Sequence, residues 1–315
     1  MQPRIAQPKA TAKLSMDSVL GAYLMLALTA FFLASNHVVG RSVHGVIPPL
    51  GLSFWRWVAG ALMLAPFILP RIKTSAPIFF AHINVYALLG FLMVGSTTLI
   101  LIALNFTTAI NVSLVNAVQP TLTVLLAALF LKGRVSKMSV LGICSALVGV
   151  IIMVSKASWS IISGLKFNFG DLIALVAIIG FSSYALNLKK LPSELSVTES
   201  LFGITIAGSL MLLPFYVLES VYYAPVPVSA STFWVVIELA LLVTVFGNLM
   251  WNKGNRIIGP NRAAIFINLI PIFGALLAVT FLDEKVYGYH FVGAVLVCLG
   301  IWLVVGSLNG RHEAD

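Results

Sequence analysis

Arg56, Glu238 and His37 stand inside runs of apolar sequence, where a charge is costly unless it faces water, a ligand or a partner. At 1.5 Å rise per residue, Arg56 lies about 12 Å inside its run. Glu238 lies about one helical turn inside another run from the same side, and His37 about one turn below the end of its own. Three ionisable groups at related depth predict one polar cluster. An arginine there suits a carboxylate and a glutamate suits an ammonium, so the pair fits a zwitterion; equally, Arg56 and Glu238 could bridge as a gate. The structural alternative is that Arg56, between Trp55 and Trp57, and Glu238 snorkel to the membrane interface, and that His37 is a packed neutral imidazole.

Neutral polar residues extend the set. On one helix Asn116, Gln119 and Thr123 fall within about 60° of each other, with Ser113 near the edge. Pro120 in the middle of that helix and Pro271 in its later counterpart should each delete a backbone hydrogen bond near the membrane centre. The freed carbonyls can be satisfied by protein, water or ligand. Asn268, one turn before Pro271, is the counterpart in the second half, and Ser35, Asn36, Tyr184 and Asn187 are further candidates. Any of these could instead bond between helices, an interaction of about 1 kcal/mol.

Enzyme chemistry has no motif to stand on. There is no HExxH, no Walker-type loop and no paired-aspartate motif, and His312-Glu313 lacks a second histidine. No catalytic residue, metal site or cofactor is expected. Cys144 and Cys298 lie in apolar runs and read as packing residues. The net charge of +9 is spread over short loops without interleaved aromatics, which argues against nucleic acid.

The elements that must position these residues are membrane helices. Apolar residues make up 60% and charged residues 9% of the chain, a composition that only lipid makes sensible over 315 residues. The expected fold class is an all-α membrane protein with ten transmembrane helices, over 18–40, 48–69, 83–104, 109–131, 138–155, 170–189, 197–218, 233–251, 260–282 and 288–308. Residues 1–17 read as a cytoplasmic tail with no cleavage site, and 309–315 as a second. Fourteen basic residues then fall on the inner side, against Arg41, Lys156, Lys166 and Lys285 outside. Both termini are therefore expected in the cytoplasm. Trp55, Trp57, Trp159 and Trp234 lie near outer ends, where interfacial rings are favoured.

The chain also repeats itself. AGALMLAPF at 59–67 and AGSLMLLPF at 207–215 agree at seven of nine positions. At a constant offset of 151, Pro120, Gly142 and Gly149 fall on Pro271, Gly293 and Gly300. Each half holds five spans, and because five is odd the second must insert inverted, a plan shared by many secondary transporters. The seven-residue glycine spacing predicts that spans five and ten pack closely rather than line a cavity.

These features together resemble the ten-helix drug/metabolite transporter superfamily, in its bacterial EamA-type branch, over residues 18–308. The resemblance rests on the two five-helix repeats, Phe54-Trp55-Arg56-Trp57, Gly170-Asp171, the run from Pro120 to Gly149, and Pro271 through Glu284 to Gly293 and Gly300. It implies repeats at 18–155 and 170–308 joined by an outer loop at 156–169, and a bacterial inner-membrane carrier. Such a carrier would export an amino acid or related metabolite through a central cavity. Small-molecule substrate and bilayer are the expected partners, a proton or other ion gradient is an open energy source, and monomer and homodimer are both compatible. A passive channel or a membrane scaffold are the alternatives. One departure stands out: the family's glutamate after span four is Gly133 here, while Glu284 is kept.

Overall fold

The computed structural model describes residues 16–131, 137–158, 168–258 and 264–312, and its regular structure there is helical throughout. The expected inner loop at Lys132 and Arg134, Gly133, Trp159 and Arg262 lie outside the described residues. Span one is α1 (Met16–Ser42), span two α2 (Pro49–Ile68) and span three α4 (Ile83–Ala103). Between the last two runs α3 (Ile72–Ala81), where the sequence suggested only a loop. Span four is broken into α5 (Ala109–Asn116) and α6 (Gln119–Leu131), and span five is α7 (Lys137–Val154). The second half follows with α8 (Phe169–Asn187) and α9 (Val197–Tyr222). Span eight joins α10 (Ala230–Glu238) to α11 (Asn248–Ile258) through a π-helical stretch, Leu239–Gly247. Span nine is a 3₁₀ turn (Ala264–Asn268) leading into α12 (Leu269–Leu282), and span ten is α13 (Gly288–His312).

Local chemistry sets the helix starts. Thr108, Asn168, Ser196 and Ser229 each accept a hydrogen bond from a backbone N–H of the first turn, and Ser196 with Glu199 forms a full capping box. Pro49 opens α2, where its missing N–H is harmless. Seven of the described helical segments are long and apolar enough to cross a membrane, and shorter apolar helices at Val140–Met153, Phe266–Leu282 and Gly288–Gly300 accompany them. The chain is a multi-pass, all-helical membrane protein.

Packing follows the repeat. Span three lies on span six, and its counterpart span eight lies on span one; span four lies on span six, and span nine on span one. Spans two and seven pack on each other, as do spans five and ten. Exchange of the two halves therefore maps each pairing onto another or onto itself. In the last pair the glycines let the backbones meet: a Cβ on Gly149 would stand 2.7 Å from the Gly293 carbonyl oxygen, and one on Gly300 2.5 Å from that of Gly142.

The core is unequal along the membrane normal. Call distal the face formed by the 43–48, 104–108, 223–229 and 283–287 connections, away from the start of α1 and the end of α13. One continuous apolar cluster fills the distal half, drawing Val38, Leu52, Leu101, Ile110, Ile178 and Leu239 from different spans. Towards the other face the buried residues fall into separate groups, one around Leu64, Leu89 and Ile204, another around Ala22, Leu26 and Ile258.

Two expectations need correction. Trp57 is not interfacial: it is 1% exposed and donates its indole N–H to Thr97 Oγ1 at 3.0 Å, whereas Trp55 and Trp234 do face outward. Nor do the prolines sit mid-helix. Pro120 and Pro271 are in the first turns of α6 and α12, beyond the break in each span, where proline fits without losing an intrahelical bond.

Candidate functional site

Arg56 does not snorkel. It is fully buried in α2, its Nη1 donates to Asn36 Oδ1 of α1 at 2.7 Å, and its guanidinium lies 5.1 Å from the centroid of the Trp57 ring. Among the described residues its Nε and Nη2 have no hydrogen-bond partner. A buried guanidinium facing a neutral amide and a ring there is an uncompensated cation, with two donor nitrogens free to receive an anion. One residue along α1, His37 shares a 2.8 Å hydrogen bond with Ser113 Oγ of α5, and Ser113 abuts Gly274 of α12. The consecutive pair Asn36-His37 thus ties span one to span two on one side and to spans four and nine on the other.

The helix breaks carry a second set. Around Ala117 and Val118 the backbone tightens to bonds spanning three residues, and the Gln119 carbonyl accepts from Thr123 and from Ser182 of α8. Just before the two breaks, Asn116 Oδ1 and Asn268 Oδ1 are both buried without a partner. In span eight Thr244 Oγ1 is likewise buried and unpartnered, within the π-helical stretch and against Gly60 of α2. Such π segments are rare and recur at functional sites.

Other predicted residues are not drawn in. Glu238 is partly buried at the start of the π stretch and makes neither a hydrogen bond nor an ion pair among the described residues; Arg56 bonds Asn36, so the sequence-predicted Arg56–Glu238 bridge is not formed. Asn187 donates to the Ser183 carbonyl of its own helix. Tyr184 packs against the cluster around Leu64 and Ile204. Gln119 is partly buried; its carbonyl, rather than its amide, makes the contacts described. The break between Asn116 and Gln119 also dissolves the single polar stripe that an unbroken helix would give. A groove of about 790 Å³ on the terminal side, lined by Met63, Phe67, Arg71, Glu199, Leu241 and Phe246, includes none of these residues. Among the described residues no three His, Cys, Asp or Glu side chains gather as a metal site would require.

Sequence reasoning missed a rim of polar ties at the distal face. Glu284, after α12, accepts from the N–H groups of Ala109 and Ile110 at 2.9 and 3.0 Å, satisfying the start of α5 with a negative charge. Glu219, near the end of α9, does the same for Leu50 and Gly51 at the start of α2. Asp171 accepts from Thr107 and Asn111, and Asn111 in turn meets His290 of α13. Gly170 permits that approach, since a Cβ there would stand 2.8 Å from the Ala103 carbonyl oxygen. Every one of these ties joins the first half of the chain to the second. Asp171 and Glu284 entered the sequence reading only as parts of family motifs, and Glu219 and His290 not at all, because an acid or histidine at the end of an apolar run is ordinary.

Comparison with known proteins agrees with the architecture. The sequence profile of the EamA-like transporter family matches twice, over residues 20–155 and 168–306. The chain is 28% identical to the uncharacterized transporter YyaM of Bacillus subtilis, over 92% of this chain and 95% of that one. It is 25% identical to an uncharacterized transporter of Archaeoglobus fulgidus, over 90% and 97% of the two chains. A "probable amino-acid metabolite efflux pump" of Escherichia coli is 25% identical over 63% of this chain and 68% of that one. A crystal structure covering 96% of this chain and all of the other superposes with a TM-score of 0.58 at 18% identity, a likeness of fold.

Proposed function

Because this chain belongs to the EamA-like transporter family of the drug/metabolite transporter superfamily, we propose that it is a secondary carrier exporting a small carboxylate-bearing metabolite, such as an amino acid, by alternating access between its two halves. Family membership makes it a membrane transporter and not an enzyme; substrate class, direction and mechanism are our reading. The observation that carries it is Arg56, a wholly buried cation with two donor nitrogens, Nε and Nη2, unpartnered among the described residues. A substrate carboxylate would supply the missing charge, as a bidentate partner to the free edge of the guanidinium. Asn116 Oδ1, Asn268 Oδ1 and Thr244 Oγ1 would receive the ammonium and other polar groups. Export is the direction carried by the names of the Escherichia coli and Salmonella typhimurium relatives.

The continuous distal core, set against separate clusters on the other side, supports a conformation closed distally. An unbroken apolar plug is poorly suited to a passive pore. With the repeats at 18–155 and 170–308 and both termini in the cytoplasm, the distal face is the outer face of the bacterial plasma membrane.

Counterflow in proteoliposomes tests the function. Vesicles loaded with one unlabelled amino acid at a time should accumulate the labelled form transiently for the true substrate, and Arg56→Gln should abolish this. Uptake that rises to equilibrium without overshoot for every compound moved would replace the carrier with a channel.

A further inference from the structure

The Asp171–Asn111–His290 chain plays no part in binding the substrate proposed above, yet its hydrogen bonds leave little freedom. His290 Nδ1 accepts from the Tyr287 N–H at 3.1 Å, so that nitrogen carries no proton and the imidazole is neutral. Its proton is on Nε2, which donates to Asn111 Oδ1 at 3.0 Å. The Asn111 amide then points Nδ2 at the two oxygens of Asp171, at 3.2 and 3.3 Å. A flipped amide would set its oxygen against the carboxylate and its NH₂ against Nε2–H. Thr107 donates its hydroxyl to the same carboxylate. Exposure is 4% for Thr107, 6% for Asn111, 1% for Asp171 and 5% for His290, so the set is shielded from bulk water.

The two titratable members belong to one half of the molecule and the amide between them to the other. Asp171 is on α8 and His290 on α13, whereas Asn111 is on α5. With the distal face closed, a proton added at Nδ1 would break the Tyr287 bond and place a cation in the first turn of α13, where the helix dipole opposes it. Spans six and ten each pack on first-half spans, so opening of that face would shift α5 against α8 or α13, break the amide bridge and admit water. His290, released from the Tyr287 bond and still near the Asp171 carboxylate, could then hold a proton that the closed site has no place for.

Charges of both signs stand around His290. Asp171 reaches it through the Asn111 amide, and Lys156, in the turn after α7, acts electrostatically on both residues and opposes a proton there. Tyr287 and Tyr289 lie with ring centroids 5.9 and 4.2 Å from that of His290. Glu284 holds the N–H groups of Ala109 and Ile110, adjacent to Asn111, and adds a second negative charge at the rim. From α5 itself only neutral side chains face the site.

We propose that Asp171 and His290 form a proton-binding site that controls the distal gate: His290 takes up a proton from the distal medium as the gate opens and must release it for the gate to close. The proposal rests on the alternating-access reading above. The open state binds the proton more tightly, so acid on the distal side favours opening and alkali favours closure. For one proton the open-to-closed ratio changes by at most about tenfold per pH unit.

Spin-label distances in the full-length chain test this separately from transport. Labels at Phe106→Cys and Val286→Cys, both exposed on the distal rim but on different halves, are read in a Cys144→Ser, Cys298→Ser background. Between about pH 8 and about pH 5.5, on either side of the ordinary imidazole range, a longer distance should grow severalfold in population. His290→Gln, which keeps a donor towards Asn111 but cannot titrate, should remove this response. Asp171→Asn, which removes the pairing anion, should move the midpoint to lower pH. A wild-type distribution that ignores pH but changes with a panel of amino acids overturns the proton site and keeps the carrier. A distribution fixed under every condition overturns the carrier reading too. If His290→Gln does not yield monodisperse protein, the Asp171→Asn midpoint decides, and an unmoved midpoint counts against the site.

Discussion

Arg56 is the residue whose environment least resembles a structural role. A buried guanidinium kept for stability would have a carboxylate beside it, because the desolvation of an unpaired charge costs several kcal/mol. Here one amide and one aromatic face are the partners. Arg56→Met should therefore abolish transport and leave thermal unfolding in detergent unchanged or shifted upward. A sharp loss of thermal stability would instead make Arg56 a packing residue. That an ionisable side chain at this position mattered was legible from its type and depth. That it pairs with Asn36 and not Glu238 was not, because helix rotation about neighbouring axes has no trace in a single sequence.

At the scale of elements, the interruptions in spans four and nine deserve the most weight. Pro120 and Pro271 begin the second pieces of these spans, and their missing N–H groups keep the carbonyls of Asn116 and Ile267 from being drawn into a continuous helix. Pro120→Ala and Pro271→Ala should let each helix run through its break and bury those carbonyls, with transport rates falling about tenfold or more while expression holds. Unchanged counterflow rates in both variants would reduce the breaks to packing features. The prolines themselves announced an irregularity. Its position before the proline, rather than at it, follows from the tight turns at Ala117 and Val118. The π-helical stretch of span eight had no announcing residue at all, and α3 was hidden by the loop-like Pro70-Arg71 that precedes it.

For the whole molecule, the repeat demands opposite orientations of its halves. Cysteines at Lys137 and Lys285, in an otherwise cysteine-free chain, should react with membrane-impermeant reagent from opposite sides of oriented vesicles, Lys285 from the outside. Labelling of both positions from the same side would exclude inversion. The packing already has the matching symmetry, with span three on six mirrored by span eight on one. Where the symmetry fails, the failure has direction. Glu284 secures the start of span four, but its register partner is Gly133, and the residue in register with Ala109 is Pro260, which has no N–H to offer. In sequence, therefore, the glutamate of this tie has no counterpart at the register position in the first half.

Composition and order of residues alone determined that this protein lives in lipid, crosses it ten times and is built from two related halves, because apolar run length and a repeat register are properties of the chain itself. They also marked which ionisable residues stand at membrane depth. Tertiary structure decided which of those residues meet. It placed Arg56 against Asn36 rather than Glu238 and turned acids at helix ends into ties between the halves. The physical reason is that membrane helices satisfy their backbones internally, so their side-chain pairings are set by rotation and crossing between distant segments. Those degrees of freedom are fixed only when all ten spans pack together.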